Sequence, residues 1–120
     1  MKRGTLVLTK FPFTDLSSSK RRPAVIISRV SPAKPDVIVA FISSVIPSKL
    51  SKTDFVLDVD HKNFLETGLM KKSVFKMDKI ATLNKSIFSG ELGYLPAELF
   101  SELESRLKVA LVLETPEQEK

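Results

Sequence analysis

Arg21-Arg22-Pro23-Ala24-Val25-Ile26-Ile27-Ser28 is the stretch on which the fold turns. Pro23 biases the residue before it toward an extended backbone. Ala24-Val25-Ile26-Ile27 follows as an unbroken apolar run, the pattern of a strand covered on both faces. A pair of guanidinium groups therefore enters a rigid β element at its rim. A planar, permanently charged fork held there suits phosphate recognition. Two adjacent arginines also make an ordinary solvated strand entrance, so the choice between the two rests on the flanking sequence.

Upstream, Thr5-Leu6-Val7-Leu8-Thr9-Lys10-Phe11 alternates and predicts a first strand, opened by Gly4 and closed by Pro12. Thr14 to Lys20 is small and polar and predicts a flexible loop. Downstream, the second strand extends from Pro23 to about Val30. Ser31-Pro32-Ala33-Lys34-Pro35-Asp36 is a turn, and Val37 to Ile42 is a third, apolar and hence central strand. Ser43 to Lys49 leaves it as a loop. Asp54 to Val59 reads as a fourth strand, and Asn63 to Gly68 as a short turn or one helical turn ending at a glycine. Ser73 to Ile80, continued to about Leu83, predicts a fifth strand. Its alternation sets Val74, Lys76, Asp78 and Ile80 against Phe75, Met77 and Lys79.

One segment, about 96–113, has helical periodicity. Pro96 suits a first turn. Leu99, Leu103, Leu107 and Leu111 follow at four-residue spacing, with Phe100 and Ala110 widening the stripe, which reads as core packing along its length. Glu98 lies near the positive helix start, and Arg106 and Lys108 toward the negative end. Residues 114–120 read as a polar, frayed tail. Several short strands with one C-terminal helix predict a mainly β protein. Its small, strongly curved sheet closes into a barrel, and residues 1–113 form a single domain.

Composition narrows the function. The chain has 120 residues, 42% of them hydrophobic, enough for one core. It has no cysteine, which excludes a disulfide framework and a cysteine-built zinc site. No apolar run reaches membrane-spanning length, and Leu6-Val7-Leu8 is too short for a signal-peptide core, so a cytoplasmic protein is expected. With four glycines there is no phosphate-cradling glycine loop. His61 is the one histidine, which rules out a two-histidine acid–base pair within a chain. Asp58, Asp60 and His61 lack a further ligand cluster, so they read as a polar turn and no metal is expected. The charge is uneven. Residues 1–90 carry 16 Lys/Arg against 7 Asp/Glu, a surplus of nine positive charges. Residues 91–120 carry 3 against 7, a surplus of four negative charges. A basic body suggests a polyanionic partner.

Lys20, Arg21 and Arg22 end one loop, while Lys49 and Lys52 stand near Ser43, Ser44 and Ser48 in another. If the second and third strands pair, both loops can share one face. A phosphate there would meet guanidinium, ammonium and hydroxyl donors together. Ser43-Ser44 also reads as a strand terminus with local hydroxyl capping. Phe13 reads either as core or as a surface on which a base stacks.

The order of these blocks resembles the MazF/PemK family of toxin endoribonucleases. The likeness runs from Gly4 to about Leu113. It includes Phe11-Pro12-Phe13-Thr14-Asp15, Lys20 to Ser28, Ser43-Ser44, Ser73 to Ile80, and Gly93-Tyr94-Leu95-Pro96-Ala97-Glu98. The resemblance implies an SH3-like barrel, a homodimer, and cofactor-free, metal-independent cleavage of single-stranded RNA. It also implies a cognate antitoxin whose acidic segment occupies the RNA site. The family's arginine before proline falls on Arg22. Its hydroxyl residue after the third strand falls on Ser44, with Ser43 as the adjacent alternative. Serine stands where threonine is commoner, which keeps the hydroxyl and loses the methyl that restrains its rotamer. Lys20 and Arg21 are then expected to hold neighbouring phosphates, with Lys49, Lys52 and Phe13 extending the RNA-binding surface. Two other readings remain open: a non-catalytic, CcdB-like toxin that binds DNA gyrase, and a silent RNA-binding protein.

Overall fold

The computed structural model describes residues 1–10 and 20–113. Six strands, β1 (Thr5–Lys10), β2 (Arg21–Ile26), β3 (Asp36–Ser43), β4 (Asp54–Leu57), β5 (Ser73–Asn84) and β6 (Gly90–Tyr94), form one sheet. The order is β4-β5-β3-β2-β1-β6, antiparallel throughout. The sheet curls into a half-barrel. A one-turn helix α1 (Phe64–Thr67), a 3₁₀ turn (Lys85–Ile87) and a helix α2 (Ala97–Leu111) complete the fold.

β2 carries the two-sided burial its apolar run predicts. Val25 and Ile27 enter a core with Leu6, Ala40, Ile42, Phe75, Leu99 and Leu103, the face covered by the helices. Ala24 and Ile26 enter a second cluster with Val7, Val39 and Phe41 on the opposite face. The strand ends at Ile26, short of the expected Val30. Beyond it the Ser28 hydroxyl takes the Ile38 N–H at 2.8 Å, a side chain replacing the backbone partner a longer strand would supply. β4 stops at Leu57, before the expected Val59, where the Asp58 carboxylate accepts the Val59 N–H at 2.8 Å and turns the chain.

Expected alternation gives way in two strands. In β1, Leu6 and Val7 are both buried, because the strand lies between β2 and β6 with core on each face. In β5, Val74 and Phe75 are both buried, and the ladder to β3 shifts between Ala40↔Ile80 and Phe41↔Lys76. That bulge re-aims the strand and sharpens the local twist. β6 was not legible in the sequence. Two glycines and a glutamate, residues depleted in strands, make up most of Gly-Glu-Leu-Gly-Tyr, and pairing with β1 holds them extended.

The leucine stripe of α2 packs through its first half only. Leu99, Phe100 and Leu103 are buried, Leu107 is half-buried and Leu111 is exposed. The helix ends at Val112, whose left-handed backbone (φ 56°) is costly for a β-branched residue, and the Leu113 N–H closes on the Lys108 carbonyl at 2.9 Å. Arg3 ties the N-terminal segment to this helix. It donates to the Ile27 carbonyl and to Glu104, each at 3.0 Å, and lies over the Phe100 ring at 4.3 Å. Phe11, Pro12, the 14–19 loop and the 114–120 tail lie outside the described residues.

Candidate nucleic-acid interface

The start of β2 and the end of β3 come together at one end of the sheet. β2 pairs with β3 through Ala24↔Phe41. Carrying that register two residues further sets Arg22 level with Ser43. On its other side Arg22 stands opposite Thr9 of β1. Arg22 is half-buried, while Arg21 and Lys20 are exposed. Strands two and three do pair, and the residues that open β2 share a cleft with those that end β3.

The cleft has a volume of about 430 Å³. Lys20, Arg21, Arg22 and Pro23 make its near lip, and Ile42, Ser43, Ser44 and Val45 line the end of β3. The two serines differ. The Ser43 hydroxyl accepts the Val45 N–H at 3.1 Å and so closes the turn leaving β3. Ser44 is exposed, and among the described residues its hydroxyl has no partner.

The far lip comes from the loop between α1 and β5, residues 69–72, with Ser73 at its base. Local sequence holds it firmly. Gly68 takes the left-handed conformation (φ 74°) that ends α1. The buried Thr67 hydroxyl donates to the Phe64 carbonyl at 2.6 Å and accepts the Leu69 N–H at 3.1 Å, bracing both sides of the reversal. The Ser73 hydroxyl donates to the Lys71 carbonyl at 2.8 Å. Behind the loop, α1 rests directly on β6. A Cβ on Gly93 would collide with the backbone of Glu66 and Thr67, and one on Gly68 with the backbone of Leu92. Glycine at both positions lets two backbones meet without intervening side chains.

Of the expected site residues, Lys20, Arg21, Arg22, Ser43 and Ser44 thus share one cleft. Lys49 and Lys52 do not line it. They are exposed on the segment leading to β4. Phe13 lies outside the described residues. His61 stands elsewhere, near the start of α2, with its Nδ1 accepting the Asn63 N–H at 3.0 Å. Asp58 is engaged by Lys72 at 3.7 Å. Among the described residues no three His, Cys, Asp or Glu side chains gather as a metal site.

Sequence reasoning missed the far lip. Leu69, Met70 and Lys71 line the cleft opposite the arginines. A signal was available: Gly68 ends a helical turn, and a methionine and two lysines follow before an apolar strand begins. Their position became visible only once β6 placed α1 against the sheet.

Comparison with known proteins gives the chain a family and its fold a set of relatives. A family model described as PemK-like, MazF-like toxin of type II toxin–antitoxin system matches residues 2–111. The Mycobacterium tuberculosis toxin MazF-mt6 superposes with a TM-score of 0.72 at 23% identity, over 92% of this chain and 99% of that one. A mycobacterial endoribonuclease in complex with its cognate antitoxin gives 0.70 at 20% identity, over 97% and 99% of the two chains. The MazE-MazF complex of Deinococcus radiodurans gives 0.69 at 19% identity, over 92% and 94%. These likenesses are of fold. Among curated protein sequences none matches significantly. Among the described residues no helix is long and apolar enough to cross a membrane.

Proposed function

The chain belongs to the PemK-like, MazF-like toxins of type II toxin–antitoxin systems, and we propose that it is an endoribonuclease cutting single-stranded RNA in the cleft between Arg22 and Ser44. The observation that carries this reading is the meeting, in one cleft, of a basic lip, an exposed hydroxyl and a fourth cation on the far side. Lys20, Arg21 and Arg22 stand on one side, Ser44 at the end of β3, and Lys71 across from them.

RNA brings its own nucleophile. The 2′-oxygen attacks the adjacent phosphorus and the bond from phosphorus to the 5′-oxygen breaks. One proton leaves the 2′-hydroxyl and one is taken up by the departing 5′-oxygen. The products are a 2′,3′-cyclic phosphate and a 5′-hydroxyl. Negative charge builds on the non-bridging oxygens in the transition state. Arg22 stabilises that charge with paired donors, the kind of contribution that usually dominates. Arginine stays protonated, so its role is electrostatic. Ser44 donates to the same phosphate and holds it in line. Lys20, Arg21 and Lys71 hold the flanking phosphates, and DNA, lacking the 2′-hydroxyl, is not cut.

Residues 1–113 act as one unit in this reading, working as a homodimer with a cognate antitoxin as partner. The neighbouring structures solved with antitoxins support that partner. An acidic antitoxin segment is complementary to the basic cleft.

The test is incubation of wild type and Arg22→Ala with long single-stranded RNA in excess EDTA, with the ends mapped. Discrete cuts by wild type alone, ending in 2′,3′-cyclic phosphate, are expected. Full cleavage by folded, nuclease-free Arg22→Ala would overturn the assignment.

A further inference from the structure

The two sides of the cleft differ in chemistry. The near lip carries three cations, whereas Val45, Leu69 and Met70 give the other side an apolar surface with Lys71 beside it. Met70 is 91% exposed and Val45 73% exposed, although both sit beside hydrogen-bonding and charged groups. Leu69 is half-buried and packs against the main core, so this surface is anchored. The loop bearing it is braced by Thr67, Gly68 and Ser73. An exposed methionine on a braced loop does not serve the fold of the monomer.

We propose that Met70, with Val45 and Leu69, forms a shelf that receives the face of one unstacked RNA base while the cations opposite hold the adjoining phosphates. This rests on the ribonuclease reading of the same cleft. Charge complementarity selects the occupant. A single-stranded polynucleotide presents a phosphate and a flat, weakly hydrated base within one nucleotide, matching a cationic lip beside an apolar one. The thioether is polarizable and unbranched, and it settles on an aromatic face without demanding one base shape. Val45, Leu69 and Met70 offer a base edge no side-chain donor and no acceptor stronger than a thioether sulfur. The shelf therefore reads base presence and size, and hydrogen-bond readout falls to other groups.

The test uses non-cleavable 2′-O-methyl strands of uniform base and an abasic phosphodiester strand of equal length. Affinities are measured for wild type, Met70→Ala and Met70→Leu. Wild type is expected to bind at least one base-bearing strand about tenfold more tightly than the abasic strand. Met70→Ala should remove most of that difference and leave abasic binding unchanged, and Met70→Leu should restore it. Equal weakening of both strands by Met70→Ala, or no change in either, would overturn the shelf. So would a change of oligomeric state with base-dependent binding intact, which would assign Met70 to a protein contact. Base-dependent binding that is lost in Met70→Ala, from a protein that cuts no natural RNA, would uphold the shelf and remove the ribonuclease reading alone.

Discussion

Thr9 and Arg22 face each other across the β1–β2 ladder, and Thr9 is fully buried while Arg22 is half-buried at the cleft. The catalytic candidate thus rises from a position flanked by packed strand rather than from a loop. The Thr9 hydroxyl donates to the Lys10 carbonyl at 3.3 Å, so the neighbour opposite Arg22 is itself held. The backbone that carries the guanidinium is thus fixed by strand pairing, and a fixed base favours electrostatic stabilisation of a transition state. Arg22→Lys is therefore expected to behave much like a deletion. It keeps the charge and loses the paired planar donors, and kcat should fall roughly 10²-fold or more. Single-turnover cleavage checks this, and near-wild-type turnover would show that charge alone suffices.

The two serines separate by their hydrogen bonds. Ser44→Ala should lower kcat by roughly 10²-fold, the usual effect of removing one transition-state donor. Ser44→Thr should keep activity. Ser43→Ala should act mainly on the turn, costing about 0.5–1.5 kcal/mol of stability through the lost acceptor for the Val45 N–H, with less than a tenfold change in rate. Parallel denaturation and cleavage assays distinguish the two. A larger rate loss at Ser43 would exchange their roles.

In the proposed reading Lys71 is the phosphate contact of the far lip. With Lys20, Arg21 and Arg22 it supplies four cations lining the cleft. Binding to a non-cleavable single strand should weaken with salt at a log–log slope of about −2 to −3. Lys71→Ala should reduce the magnitude of that slope by roughly 0.7. An unchanged slope would place Lys71 outside the phosphate path.

Gly93→Ala tests how the far lip is held. A methyl there runs into the Glu66–Thr67 backbone, which has no flexible side chain to move aside. Stability should fall by roughly 1–3 kcal/mol, as for overpacking in a core. RNA affinity should fall as well, because α1 carries the 69–72 loop. Thermal denaturation and strand binding measure both, and a neutral variant would show that α1 can lift from β6 without consequence.

Much of the fold could be read from residue order, and the reasons are local. Pro23 and the apolar run after it announced β2, and Val37 to Ile42 announced β3, because burial on both faces leaves an unbroken hydrophobic signature. The basic lip and the serines followed from those strands. β6 could not be read, since Gly90, Glu91 and Gly93 owe their extended form to β1. With β6 hidden, the seat of α1 was hidden too, and with it Met70 and Lys71. The α2 stripe misled in the other direction. Its spacing is uniform from Leu99 to Leu111, but the sheet beneath covers only the first half. Periodicity reports what a helix can bury, and the surface it meets decides how much of that is used.

The contact of α1 with β6 divides two properties that a binding site usually mixes. Where Gly68 and Gly93 bring backbone against backbone, the seat of α1 beneath the 69–72 loop is set by main-chain dimensions, a ruler that a change at the exposed Met70 side chain does not alter. Met70 is then free to vary in the breadth of surface it offers. A lineage can retune how large a base it favours without moving the arginine any farther from its target.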